Sequence, residues 1–136
     1  MKGVVRIRRE VMQKMSEEAR RAPAEECCGL LAGRDGVVTM AFPATNKLHS
    51  ATEFEIAPQE LFRLFRAMRA AGVEHMGIFH SHPTGQNAPS PRDVERAYYP
   101  EAVYFIISPQ TTTARAVRAF SIRDTELTEL RVEETE

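Results

Sequence analysis

Within the fourteen residues from His80 to Asp93 the chain must pass from strand to loop to helix, and this constrains the fold more than any other feature. Glu74 to His82 is short, apolar in its middle and ended by Pro83, which reads as a strand. Residues i and i+2 of a strand point to one face, roughly 6.6 Å apart along the chain. His80 and His82 therefore share a face, while Phe79 and Ser81 take the other. Pro83 to Pro89 carries two prolines and one glycine, so it turns. Ser90-Pro91 then reads as a helix start, with Ser at the N-cap and Pro at the first helical position. Asp93 returns on the first turn of a short helix reaching to about Tyr99.

Two imidazoles and a carboxylate at this spacing suit a divalent metal that keeps one position open to water, the mark of a catalytic zinc site. Each piece also has an ordinary reading. Ser90 and Asp93 alone would be a capping box in its Asp variant. A lone histidine is usually a surface or core residue, and His49 and His75 are taken that way. Two histidines at strand spacing are suggestive and not decisive. The complete string is much more specific: Pro83 directly after the second His, and Ser90 three residues before Asp93.

The string H-S-H-P, six residues, S, two residues, D resembles the signature of the JAMM (MPN-plus) metallopeptidase family. That family also carries an upstream E-x-x-G-[LF]-L, and Glu26-Cys27-Cys28-Gly29-Leu30-Leu31 fits it, with Glu25 one residue out of phase. The likeness runs from about Val4 to Val132. It implies that His80, His82 and Asp93 bind one Zn²⁺ per chain, with a water in the fourth position. It further implies that Glu26 is the general base, returning its proton to the leaving amine, and that Ser90 hydrogen-bonds the oxyanion. The chemistry is coherent, since zinc polarises a carbonyl and lowers the pKa of bound water to about 7, and a nearby carboxylate completes acid–base catalysis. Without the His-x-His string, Glu26 would read as a solvated charge before a strand.

Composition fits a compact enzyme. A chain of 136 residues with 43% hydrophobic content can bury a core as one domain over residues 1–136. The net charge of −1, with signs mixed, gives no electrostatic reason to expect nucleic acid or an anionic membrane as partner. The longest apolar run, Ala102 to Ile107, is far too short to span a bilayer, and the first residues lack the apolar core of a signal peptide. The expected location is cytoplasmic. Cys27 and Cys28 are adjacent and the sequence has no other cysteine, so no disulfide framework is expected. In a strand they face opposite sides, one toward the core and one nearer the site. A rival scheme makes Cys28 a nucleophile with His80 as base, yet nothing marks the thiol as activated, and the second His and Asp93 are left idle.

The rest reads as scaffold. Strands are expected at 4–7, 27–32, 37–42, 51–56, 103–107, 113–122 and 127–132, with a turn at Gly33-Arg34-Asp35-Gly36 and a frayed end from Glu133 to Glu136. Helices are expected at 9–22 and from Pro58 to Gly72, from their apolar spacing and end signals. The fold class is α/β: a mixed, largely antiparallel sheet flanked by two long helices, with a short helix after the metal-binding strand. The resemblance sharpens this to the MPN fold, which is cytidine-deaminase-like. Deamination itself is disfavoured, because zinc deaminases need a P-C-x-x-C string that is missing here.

The chain leaves little room for insertions and looks like the minimal prokaryotic branch. That branch is associated with ubiquitin-like sulfur-carrier proteins ending in Gly-Gly. The implied reaction is hydrolysis of a peptide or isopeptide bond after that glycine, removing a tail peptide or a cysteine adduct, with the tail held by strand addition. A different class stays open: a catalytically silent MPN interaction or scaffold module. Silent members usually lose ligands, whereas all five site residues are present here. The C-terminal strands could cover either the core or a partner in a homodimer.

Overall fold

The computed structural model describes residues 3–84, 86–109 and 115–136. Among these, the elements are β1 (Val4–Arg8), α1 (Arg9–Arg21), β2 (Cys28–Arg34), β3 (Val37–Ala44), α2 (Pro58–Ala71), β4 (Glu74–Ser81), α3 (Pro91–Glu95), β5 (Val103–Ile107), β6 (Val117–Arg123) and β7 (Glu126–Thr135). The strands are ordered β1-β3-β2-β4-β5-β6-β7, and β7 pairs back onto β1 to close the sheet. Pairing is antiparallel at β2–β3, β2–β4, β5–β6 and β6–β7, and parallel at β1–β3, β1–β7 and β4–β5. The mixed sheet and its flanking helices match the expected class.

Strand alternation sends neighbouring side chains to two separate cores. Val5, Ile7, Leu31, Val38, Phe79, Phe105 and Ile107 gather on one face under α1, which contributes Val11, Met15 and Ala19. Cys28, Leu30, Ile78, Tyr104, Ile106 and Phe120 gather on the other, with Leu64 and Met68 of α2. β5 is buried along its whole length, as its unbroken apolar run requires. Each fully buried aliphatic or aromatic side chain contributes about 1.5–3 kcal/mol. Cys27, just before β2, and Cys28, its first residue, fall into opposite cores.

Several boundaries differ from the sequence reading, each for a physical reason. The hairpin between β2 and β3 is tighter than the four residues expected. Asp35 and Gly36 alone make the turn, at φ 54° and 77°, the positive pair that a two-residue hairpin needs. α3 ends at Glu95, short of Tyr99; Pro100 biases the residue before it away from helical geometry. Residues 51–56 form no strand. Asn46 captures this segment instead: its side chain donates to the carbonyls of Ser50 and Glu53 and accepts from the amides of Leu48 and Glu55.

The C-terminal end is not frayed. Glu133, Glu134 and Thr135 pair in parallel with Arg6, Ile7 and Arg8, while Arg6 and Arg9 bridge to Glu133 and Glu134. Charged residues hold this last stretch, so apolar periodicity could not announce it. The strand expected from Thr113 begins at Val117 among the described residues; Thr113 and Ala114 lie outside them, as does Gly85 of the loop after the second histidine.

Candidate metal centre

The site lies where β4 ends between two neighbours. His80 pairs with Cys28 of β2 on one side and Ile106 of β5 on the other. His82 is one residue past the strand, and its backbone N–H donates to Ile107 O at 3.0 Å, so it stays registered on β5. Gly29 makes room for this crossing: a Cβ there would come within 2.5 Å of the Phe79 ring. Asp93 reaches back from the first turn of α3, where Ser90 Oγ accepts the Asp93 amide and Asp93 Oδ2 accepts the Ser90 amide, at 3.0 and 2.9 Å. The capping box and the proposed ligand are thus the same carboxylate. A box that fixes Asp93 in direction also aims it.

Three donor atoms converge. His80 Nε2 and His82 Nε2 are 3.2 Å apart, and Asp93 Oδ2 lies 3.2 and 3.1 Å from them. These three residues form a group that could hold a metal ion. The edges fit: at usual zinc–nitrogen and zinc–oxygen distances, the edge of a tetrahedron is about 3.3 Å. His82 Nδ1 donates to the Gln86 carbonyl at 2.7 Å, which leaves the lone pair on Nε2, facing the group. His80 is fully buried and stacked on Phe54, ring centroids 4.6 Å apart, and its Nδ1 has no partner among the described residues.

The electrostatics are those of a dry, crowded site. Burial lowers the pKa of His80, with Asp93 pulling the other way. Burial also pulls on His82, but its bonds to Asp93 and Gln86 outweigh it and the pKa rises. Asp93 is likewise opposed by burial, yet the two imidazoles hold its carboxyl well below the usual range. Glu26 precedes β2 and is 3% exposed. Burial pushes its carboxyl from 4.5 up to about 8, against the pull of His82, and Oε1 has no partner among the described residues. Such a group can hold or release a proton near neutral pH. Glu25, the out-of-phase neighbour, turns outward to His49 at 3.3 Å.

The five residues singled out from the sequence converge here. Ser90 is half-buried at the N-cap; its oxygen accepts from Asp93, so its O–H proton is available to donate outward. The thiols are poor nucleophile candidates: burial pushes Cys27 up to about 11 and Cys28 higher still. His75 is half-buried, edge-on to Phe65 and Tyr99. Beside His80 and Asp93 opens a cavity of about 430 Å³ walled by Leu30, Phe54, Ile56 and Tyr104, with Arg92 and Arg96 at its rim.

Sequence reading missed Phe54 and Asn46. Asn46 is buried and its Nδ2 also donates to the Glu26 carbonyl at 3.0 Å, so one amide ties Glu26 to the loop that backs His80. An asparagine among loop residues carries no signal of such a role, since turn asparagines are common. Phe54, alternating with Ile56, resembled strand.

Comparison with known proteins agrees with this geometry. The family described as prokaryotic homologs of the JAB domain matches residues 8–122. The CysO-cysteine peptidase of Mycobacterium tuberculosis is 33% identical over 128 residues, covering 93% of this chain and 88% of the relative. The desampylase of Haloferax volcanii is 36% identical over 102 residues, 73% of each chain. A solution structure from Desulfitobacterium hafniense superposes with a TM-score of 0.85 at 31% identity, covering 97% of this chain and 93% of the other. The chain therefore belongs to the prokaryotic branch of the JAB-domain (JAMM) family and is a hydrolase of that metallopeptidase family.

Proposed function

We propose that residues 1–136 form one zinc-dependent hydrolase domain that cuts the peptide or isopeptide bond after the C-terminal glycine of a ubiquitin-like sulfur carrier, releasing a tail peptide or a cysteine. The observation that carries this reading is the triangle of His80, His82 and Asp93 beside the buried Glu26, whose Oε1 has no partner among the described residues. One Zn²⁺ held by those three side chains would supply Lewis acidity, activating water and polarising the scissile carbonyl. Glu26 takes the proton of the attacking water on its carboxylate and hands it to the departing amine. Ser90 donates its hydroxyl proton toward the oxygen that gains negative charge. The Gln86 carbonyl, accepting from His82 Nδ1, keeps that imidazole aimed, and Phe54 shields His80 from solvent.

The relatives' names support the substrate class: one cleaves CysO-cysteine, another is a desampylase. An extended tail ending in Gly-Gly needs a strand edge to lie on. β1 covers the outer edge of β3 only at Val37 and Val38, and β3 continues to Ala44, opposite Cys28 and close to Glu26. Two free thiols fit a reducing cytoplasm.

The test is intact-mass spectrometry of a sulfur carrier extended past its Gly-Gly by a short peptide or by cysteine, incubated with zinc-loaded protein. The expected product has lost the extension, and the loss stops when a chelator removes zinc. No loss, or a loss indifferent to the chelator, would overturn the proposal.

A further inference from the structure

Ser81 stands between the two histidines and faces away from them. Its hydroxyl accepts the backbone N–H of Cys27 at 2.9 Å in a buried contact, while its own N–H donates to Cys27 O at 3.0 Å. In a regular antiparallel ladder, Cys27 would donate to the Ser81 carbonyl and complete a closely spaced pair. Here regular pairing of β2 with β4 stops one step earlier, at Cys28 opposite His80, and His82 goes over to β5. The side-chain oxygen stands in for the main-chain one. β4 can then fork away from β2 at its tip without leaving the buried Cys27 N–H unbonded.

Glu26 is the next residue back from that contact. Its N–H donates to Ser50 O at 2.8 Å and its carbonyl accepts from Asn46, so its own backbone groups belong to the loop and not to the sheet. Cys27 is thus the last point at which the segment carrying Glu26 is fastened to the strand carrying the histidines. We propose that Ser81 is a positioning residue: by holding the Cys27 amide, its hydroxyl sets where the Glu26 carboxylate stands relative to His80 and His82. This rests on Glu26 being the base.

Ser81→Ala removes the acceptor without adding bulk, and Ser81→Thr keeps a hydroxyl. Ser81→Ala should retain a full complement of zinc by elemental analysis. Its kcat should fall by about tenfold or more with KM within about twofold, the split expected when a reacting group is misplaced and substrate binding is not. The Cys27 amide should lose its hydrogen-exchange protection in nitrogen-resolved NMR spectra. Ser81→Thr should restore both kcat and protection. An unchanged kcat in Ser81→Ala, a Ser81→Thr protein as poor as Ser81→Ala, or zinc lost together with activity would each overturn the assignment. If Ser81→Ala does not fold, Ser81→Cys is measured the same way, its weaker acceptor giving an intermediate loss in kcat and protection; wild-type values there would overturn the idea equally. Exchange at Cys27 is followed in zinc-free protein too. A wild-type chain that cleaves no carrier would therefore sink the proposed function while leaving the Ser81–Cys27 contact tested on its own.

Discussion

The two faces of the sheet are built from the same strands and do different work. Under α1, thirteen buried hydrophobic side chains among the described residues close one core, with the buried Ser81 hydroxyl at its edge. Under α2 the packing is looser: Leu64 and Met68 seal one end, but beside His80 and Asp93 the wall opens into the 430 Å³ cavity. The difference teaches that stability and chemistry are divided between faces. Alternation lets one strand serve both, since Phe79 of β4 anchors the closed side while His80 is turned to the open one.

Substitutions can break or sharpen that division. Asp93→Ala should have the largest effect: zinc affinity falling by about a hundredfold or more, and activity with it, for a cost in stability of about 1 kcal/mol from the lost carboxylate arm of the capping box. Titration with zinc and thermal melting of the zinc-free protein separate the two. Glu26→Gln should lower kcat by about 10²–10⁴ while zinc stays bound. It also has a pH signature. The Glu26 carboxyl is raised to about 8, so its folded form holds a proton that the unfolded chain gives up above its ordinary 4.5. Stability from that group is present in full at low pH and drains away as pH climbs toward 8. The zinc-free wild type should therefore lose on the order of 4 kcal/mol relative to Glu26→Gln between about pH 5 and 8, read from urea unfolding. Met15→Ala, at a fully buried position under α1, should do the reverse of Asp93→Ala: about 2–5 kcal/mol of stability lost, zinc affinity untouched. Were zinc binding to weaken as well, the faces would not be independent.

Much of this was legible in the sequence, and for identifiable reasons. His80, His82, Ser90 and Asp93 sit on a strand end and a helix start, where Pro83 and Pro91 leave few conformations. Glu26 was findable only through its spacing from Gly29 and the two leucines. What stayed hidden depends on contacts between distant segments. Nothing near Asn46 foretells a hub for a loop ten residues long, and nothing in Phe54 says that its ring will lie on His80. The pairing of β7 with β1 joins the ends of the chain through arginine and glutamate, residues that propensity assigns to solvent.

That parallel junction has a bearing on how the protein should be handled. A chain clipped after Val132 would strip Arg6, Ile7 and Arg8 of their outer neighbours and bare a ribbon of vacant amides and carbonyls, the kind of border on which other molecules stack. A purification tag is therefore safest on a spacer that leaves β7 free to pair, and proteolysis within β7 would surface as clumping well before any fault at the His80–His82–Asp93 group.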